Sequence, residues 1–342
     1  FPGYTGASAS LGVLKWANNG LSCVWQTMGV VPGTPGSHNC PLAAGLQLYP
    51  VHGPAGEGGD RLLLLQPVPG LGTVVGMLEW NAGGLRCVWR SIGSIPGAGT
   101  VPAWMLSAVD QLAVADVDGD KQDELLLLVP SYINKANQPN PAMAVAKWTD
   151  GALQVIWHVS SEAGNAPDYV TLSASLLVAD LDGTGVAKVI VPLAEYKGMV
   201  VAEWTDTPTL NVIWRCGLSV PGIQGVPDWE VNAGGFFGAS DAFYVANLDG
   251  TGDALFIIQA TYESGAGVLK WQNGGLYCVW QGAADGWSLS FFNQHYRVHV
   301  SGFYESILAF APGAAETLSY DAEFDVVIAA CRMPSASRIE LT

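Results

Sequence analysis

The sequence has few charged residues, and those of positive sign are the scarcest. Only 13% of its 342 residues are charged, and 14 Lys and Arg stand against 30 Asp and Glu, which gives a net charge of −16. Nucleic-acid binding depends on clustered basic side chains that neutralise phosphates, so this composition excludes a nucleic-acid partner. No apolar run reaches the roughly 18 residues of a membrane helix, so no membrane span is predicted.

Helical periodicity and the common catalytic motifs are also missing. No window repeats apolar residues at a 3.6-residue spacing, which predicts a chain almost without helix. The sequence has no phosphate-binding loop and no Gly-x-Ser-x-Gly turn. His295 and His299 are four residues apart, but in a region predicted to be strand. Paired carboxylates for glycoside cleavage stay open, because spacing in sequence does not fix their separation in space.

The 6 cysteines do not form the dense pattern of a disulfide scaffold. Cys23, Cys87 and Cys278 occupy the same place in a repeated Cys-Val-Trp, so they fall in separate units and most cysteines are predicted to be small buried side chains. The chain starts at Phe1 rather than Met. This predicts a removed leading segment and a secreted or extracellular-acting protein, with cytoplasmic storage as the alternative.

A hairpin that carries two tryptophans recurs along the chain. Its copies span residues 14–25, 78–89, 146–157, 202–214 and 269–280, with a degenerate copy at 319–329. Asn-Gly and Asp-Gly pairs between the strands predict tight β-turns. The tryptophans keep a fixed register in each copy, which favours packing anchors over ligand contacts.

Pairs of short apolar runs precede the later hairpins, so each repeat has four strands. This layout predicts an all-β fold, a β-propeller of four-stranded blades that forms a single domain over residues 1–342. Six blades fit best, with five or seven as alternatives, and strands from both termini would close the ring.

One loop between two apolar strands carries carboxylates at alternate positions. Asp116, Asp118 and Asp120 are followed by Glu124, and oxygen ligands in this pattern suit Ca²⁺, with the backbone carbonyl of Gln122 as a further ligand. The alternative is a solvated acidic turn that binds nothing. Two weaker copies place Lys188 and Leu255 where the loop has Glu124. Their candidate ligands are Asp180, Asp182, Thr184, Asn247, Asp249 and Thr251.

A four-stranded repeat with Asp-x-Asp-x-Asp in its first loop resembles the FG-GAP (VCBS-type) propeller family. That family includes mushroom lectins of the Psathyrella velutina type and, more distantly, the integrin α-subunit head. The resemblance covers nearly the whole chain in layout, but its motif is complete only at residues 116–124. It implies structural calcium away from a ligand face, and a free-standing lectin-like protein.

The linkers between repeats place an aromatic residue beside Pro or a polar side chain. A ring that stacks on a sugar, next to a carboxylate that accepts its hydroxyls, would form a glycan site. The alternative is that the rings fill gaps between blades. The candidate ligand residues are Asp168, Tyr169, Asp228, Trp229, Trp104, Asp285, Trp287, His38 and Asn39.

The sequence therefore favours a calcium-containing lectin with several inter-blade glycan sites, and no catalytic residues are assigned. A carbohydrate-active enzyme, a lyase or hydrolase on a propeller scaffold, is one alternative. An adhesion or protein-interaction module is the other.

Overall fold

The computed structural model is almost entirely β-structure, as the sequence predicts. It describes residues 9–309 except 18–19, 36–37, 54–59, 82, 108–109, 131–139, 164–165, 195–196, 224, 232–241, 248–251, 260–264, 284–287, 291–296 and 301–306. The chain divides into two compact units, one of Phe1–Thr171 with Trp204–Thr209 and one of Leu172–Glu203 with Leu210–Thr342. The prediction of a single domain stays a prediction.

The first unit contains a two-stranded hairpin, two four-stranded antiparallel sheets and two short linker hairpins. The hairpin is β1 (Ser10–Ala17) with β2 (Gly20–Met28). The sheets are β5 (Gln47–Val51), β6 (Arg61–Val68), β7 (Gly72–Asn81), β8 (Gly84–Ile92), and β11 (Gln111–Ala115), β12 (Glu124–Val129), β13 (Ala142–Thr149), β14 (Ala152–Ser160). The linkers are β3 (Val30–Val31) with β4 (Cys40–Pro41), and β9 (Ser94–Ile95) with β10 (Trp104–Met105). A 3₁₀ turn (Ser161–Ala163) and the helix α1 (Asp168–Thr171) follow β14.

The second unit repeats this plan with two four-stranded sheets, a linker hairpin and a three-stranded sheet. The four-stranded sheets are β15 (Leu177–Ala179), β16 (Lys188–Leu193), β17 (Gly198–Trp204), β18 (Leu210–Cys216), and β21 (Ala242–Asn247), β22 (Asp253–Gln259), β23 (Gly265–Gln272), β24 (Gly275–Ala283). The linker pairs β19 (Ser219–Val220) with β20 (Trp229–Glu230), and the last sheet has β25 (Ser288–Ser290), β26 (Arg297–Val300) and β27 (Ile307–Ala309). Four antiparallel strands in sequence order are the blade of a β-propeller. The blade count of the whole chain stays a prediction.

The Cys-Val-Trp repeat encodes a β-bulge. In the β7–β8 pair, Met77 lies opposite Trp89 and Leu78 opposite Cys87, so Val88 is the extra residue. The Cys87 Sγ–H donates to the Trp89 carbonyl at 3.3 Å. The β1–β2 and β23–β24 pairs shift register at the same place and repeat this thiol bond at 3.3 Å. The motif therefore adds local twist and re-aims the tryptophan, as bulges do.

The hairpin turns have the chemistry that the sequence predicts. Asp150 and Gly151 have φ of 52° and 80°, and Asn273 and Gly274 have φ of 50° and 78°. Two successive residues at positive φ form the tight turn that matches the right-handed twist of a hairpin.

The second strands of the sheets, such as β12 and β16, are apolar and buried on both faces. Residues 125–129 of β12 are buried throughout, and the cluster around Leu63, Leu127 and Val155 forms the main core of the first unit. Ile190, Leu255 and Leu269 belong to the corresponding core of the second unit. Continuous burial explains why these runs read as uniformly apolar instead of alternating.

Candidate functional site

The candidate cation site is the acidic loop, residues 116–124, which connects β11 to β12. Carboxylate oxygens of Asp116, Asp118 and Asp120 lie within 4.8 Å of one another. The loop turns by means of Gly119 and Lys121, whose φ values are 82° and 69°. The alternation of carboxylates in the sequence thus becomes a cluster of oxygens on one side of a tight turn.

A lysine from outside the loop enters this cluster. Lys147 on β13 places Nζ 2.5 Å from Asp118 Oδ2, 2.8 Å from Asp120 Oδ2 and 2.9 Å from Glu124 Oε1. Burial disfavours the charge of this lysine, but its bonds to the three carboxylates outweigh burial and raise its pKa. The ammonium is therefore the cation that these oxygens surround.

Glu124, the last residue of the loop, is buried and bonds back to the start of the loop. It is 1% exposed, and its Oε2 accepts the backbone N–H of Val117 at 3.1 Å. Burial raises the pKa of Glu124 to about 7, although the bond from Lys147 opposes this shift. The neighbouring Gln122 donates from Nε2 to the Trp148 carbonyl at 2.8 Å, which ties the loop to β13.

The second loop is held by the same kinds of contact but with fewer carboxylates. Asp180 accepts the backbone N–H groups of Thr184 and Gly185, each at 2.9 Å, and the Thr184 hydroxyl donates to Asp182 Oδ1 at 2.7 Å. Lys188 Nζ lies 2.9 Å from Asp182 Oδ2. In the third loop Asn247 is exposed, while Asp249 and Thr251 lie outside the described residues.

The donor set of the first loop fits a calcium ion. Oxygens of Asp118, Asp120 and Glu124 converge on one positive charge in the structure, and Asp116 lies beside them. Hard cations prefer such carboxylate oxygens. The second loop fits less well, since a threonine and a lysine replace two of its carboxylates.

Two of the predicted glycan aromatics, Trp104 and Trp229, lie at equivalent positions of the linker hairpins. Trp104 pairs with Ile95 and Trp229 pairs with Val220, while Cys40 takes this place opposite Val31 in the first linker. In each case the loop of the hairpin forms a parallel bridge to a bulged outer strand, at Gly33–Cys87, Gly97–Val155 and Gly222–Cys278. The linkers are thus one repeated structural element.

Three of the predicted sugar-stacking rings are buried, which leaves no face of them open to a ligand. Trp104 and Trp229 are 2% and 4% exposed, and Tyr169 on α1 is 4% exposed. Trp104 Nε1–H donates to Asp110 Oδ2 at 2.8 Å. The ring of Trp229 covers Gly267, where an added Cβ would lie 2.6 Å from Cε3. These rings fill space against neighbouring strands, which is the packing alternative.

The candidate polar residues next to these positions are exposed, and two of them accept a hydrogen bond from the linker backbone. Asp228 Oδ1 accepts the N–H of Gly222 at 2.9 Å, and Asn39 Oδ1 accepts the N–H of Gly33 at 2.8 Å. His38 and Asp168 are exposed as well. Asp285 and Trp287 lie outside the described residues.

Sequence reasoning assigned Trp80 to packing, but the structure leaves it 47% exposed. The corresponding Trp148 of the next sheet is half-buried, and Trp89 meets it edge-to-face with ring centroids 6.2 Å apart. Sequence register is identical for Trp80 and Trp148, so no local signal separates them. Their different exposure depends on which residues of the neighbouring sheet lie against each ring.

These sheets and linkers define an all-β protein built from propeller-type blades. The chain matches no protein-family model and no curated protein. Among solved structures it is similar to a putative 6-phosphogluconolactonase from Bacteroides uniformis, with 12% identity, a TM-score of 0.46, and coverage of 95% of this chain and 81% of that one.

Two further solved structures to which the chain is similar are those of a lectin and a lyase. One is an Agrocybe aegerita lectin that recognises non-reducing terminal N-acetylglucosamine, with 16% identity, a TM-score of 0.41, and coverage of 78% of this chain and 60% of that one. The other is a rhamnogalacturonan lyase from Bacillus licheniformis, with 16% identity, a TM-score of 0.38, and coverage of 90% and 64%. Likeness at this level carries no conclusion about activity, and the resemblance to the FG-GAP family stays a prediction. Among the described residues no helix has the length and apolarity to cross a bilayer.

Proposed function

We propose that this protein is a lectin-like carbohydrate-binding protein with several shallow glycan sites along its inter-blade linkers. The observation that supports this is the linker hairpin itself, which is docked in the same way at Gly33, Gly97 and Gly222. A rigid scaffold that repeats one exposed edge can present several equivalent weak sites, and such sites gain avidity on a glycan-bearing surface.

The exposed edge is polar, which suits a ligand rich in hydroxyl groups. Asp228 and Asp168 offer carboxylates, and His38 and Asn39 take their place in the first linker. Carboxylates form strong hydrogen bonds with hydroxyl donors. Since Trp104, Tyr169 and Trp229 are buried, hydrogen bonds at these edges would carry recognition instead of ring stacking.

Calcium is proposed as a structural ion of the acidic loop, held by Asp116, Asp118, Asp120 and Glu124, with the Gln122 carbonyl as a further ligand. Bound there, it would supply two positive charges to the loop. Glycan contact is assigned to the linkers and not to this ion.

A glycan array identifies the sugar, and calorimetry with Asp228→Asn tests the site. Asparagine keeps the oxygen that accepts the Gly222 N–H, as Asn39 does natively, but removes the charge. We expect weaker binding or one site fewer, with an unchanged melting temperature. Asp206→Asn, an exposed change in the β17–β18 turn, is the matched control.

A folded protein that binds no glycan on the array would contradict the proposal. If Asp228→Asn leaves glycan binding unaltered, the binding site is not at this linker. Release of shortened or unsaturated sugars from polysaccharides would instead favour the enzyme alternative.

A further inference from the structure

The Lys147 ammonium has the contacts expected of a bound cation. Its side chain comes from β13, not from the acidic loop, and it is 18% exposed. Nζ contacts one oxygen from each of Asp118, Asp120 and Glu124, at 2.5, 2.8 and 2.9 Å. The contacts to Asp118 and Asp120 are hydrogen bonds, and the contact to Glu124 is an ion pair with a buried oxygen that accepts no hydrogen bond among the described residues.

The oxygens of the loop divide cleanly between the backbone and this lysine. Four carboxylates have eight oxygens, and five of these accept backbone N–H groups at 2.6 to 3.2 Å. The backbone donors are Gly119 and Lys121 to Asp116, Asp120 to Asp118, Gln122 to Asp120, and Val117 to Glu124. The remaining three oxygens are those that face Lys147.

The geometry points to Lys147 as a tethered cation that holds the metal position of the acidic loop, so that Ca²⁺ binds only after the ammonium has left. Without any cation, three carboxylate oxygens would face one another beside the buried Glu124, and their repulsion would open the loop. An ammonium and a Ca²⁺ cannot share these three oxygens, because like charges a few ångströms apart repel strongly.

Two other four-stranded sheets place a cationic side chain near the same point. In the second loop, Lys188 occupies the position of Glu124, since it pairs with Ala179 as Glu124 pairs with Ala115. Its Nζ lies 2.9 Å from Asp182. In the sheet β5–β8 the ion pair is reversed, with Arg61 on the second strand and Glu79 on the third at 2.6 Å. A basic side chain that neutralises a carboxylate at this end of the sheet is thus found in three sheets.

Replacing Lys147 by Met tests this inference. Methionine has a similar length but no charge, so the variant should lose stability in chelator and regain it with CaCl₂. Its affinity for Ca²⁺ should exceed that of the wild type by about tenfold or more. Lys15→Met is the matched control, since Lys15 is exposed and follows the register shift on β1 as Lys147 follows the one on β13. It removes the same charge and should leave calcium affinity unchanged.

Equal calcium affinity in the wild type and Lys147→Met, or binding in neither, would overturn the inference. If the variant does not fold in chelator, CaCl₂ during refolding should restore the β-sheet circular dichroism spectrum, and failure of this rescue counts against it. Amine acetylation tests the wild type directly by mass spectrometry. Lys147 should be protected in chelator and reactive at millimolar CaCl₂, and calcium binding that leaves its reactivity unchanged contradicts the displacement step.

Discussion

Trp229 is expected to be essential for stability, and its replacement by Ala is the sharpest test of the linker geometry. The side chain is 4% exposed and packs in the core of the second unit, against Gly267 on β23. A buried tryptophan removes roughly 150–250 Å² from water, which at about 25 cal/mol per Å² is worth about 4–6 kcal/mol. Its indole N–H has no partner among the described residues, which offsets about 1–3 kcal/mol.

The expected loss for Trp229→Ala is therefore about 3 kcal/mol in the free energy of unfolding. Urea denaturation followed by far-ultraviolet circular dichroism measures it as a lower midpoint. Trp80→Ala is the control, because that ring is 47% exposed and its loss should cost under about 1 kcal/mol.

A double-mutant cycle with Gly267 makes the test specific to the contact. Gly267→Ala alone would place a Cβ 2.6 Å from the Trp229 ring and should cost about 1–3 kcal/mol through overpacking. In the Trp229→Ala background that clash is gone, so the double variant should be more stable than the sum of the two losses predicts. If Trp229→Ala unfolds at the same urea midpoint as the wild type, the burial argument is refuted and the ring must be exposed.

Two further predictions concern carboxylates of the first unit. Asp123→Ala removes the carboxylate that accepts the His52 backbone N–H at 2.6 Å and contacts its Nδ1 at 2.8 Å, and should lower stability by about 1–3 kcal/mol in urea denaturation. Asp123→Asn keeps an acceptor and should lose less stability. Equal losses in the two variants would contradict this account. Burial raises the pKa of Asp110 from 3.8 to about 6, so the folded state binds its proton more tightly and this residue's contribution to stability falls as pH rises through that window. Thermal melts at pH 4 and 7 should show a smaller decline in Asp110→Asn than in the wild type, and parallel declines would count against it.

The repeated hairpins were predictable because their signals are local. Turn pairs such as Asp150–Gly151 and the paired tryptophans lie within a few residues of one another, and the structure confirms both turns and sheets. The bulge at Val88 was not predicted. It depends on which residue of β7 faces Trp89, and strand register is not visible in a single strand.

The burial of the linker aromatics was not predictable, because it is decided by residues far away in sequence. Trp229 fits since position 267 is Gly, while the first linker has Cys40 with its Sγ 2.5 Å from where a Cβ of Gly76 would lie. The linker shows only an aromatic residue next to Pro and Asp. Whether that ring is buried or exposed depends on a residue in the third strand of another sheet.

The same limit applies to the acidic loop, and it bears on what such a motif means. Spacing alone identifies Asp116, Asp118, Asp120 and Glu124 as a cluster that must be neutralised, and this much follows from electrostatics. It does not say which cation neutralises them, because Lys147 is 29 residues from Asp118 and reaches the loop only through the pairing of β12 with β13. A side-chain ammonium and a divalent ion meet the same requirement, but the first is always present and the second depends on concentration. Exchange of one for the other would change how the stability of this loop responds to calcium without changing a single residue of the motif.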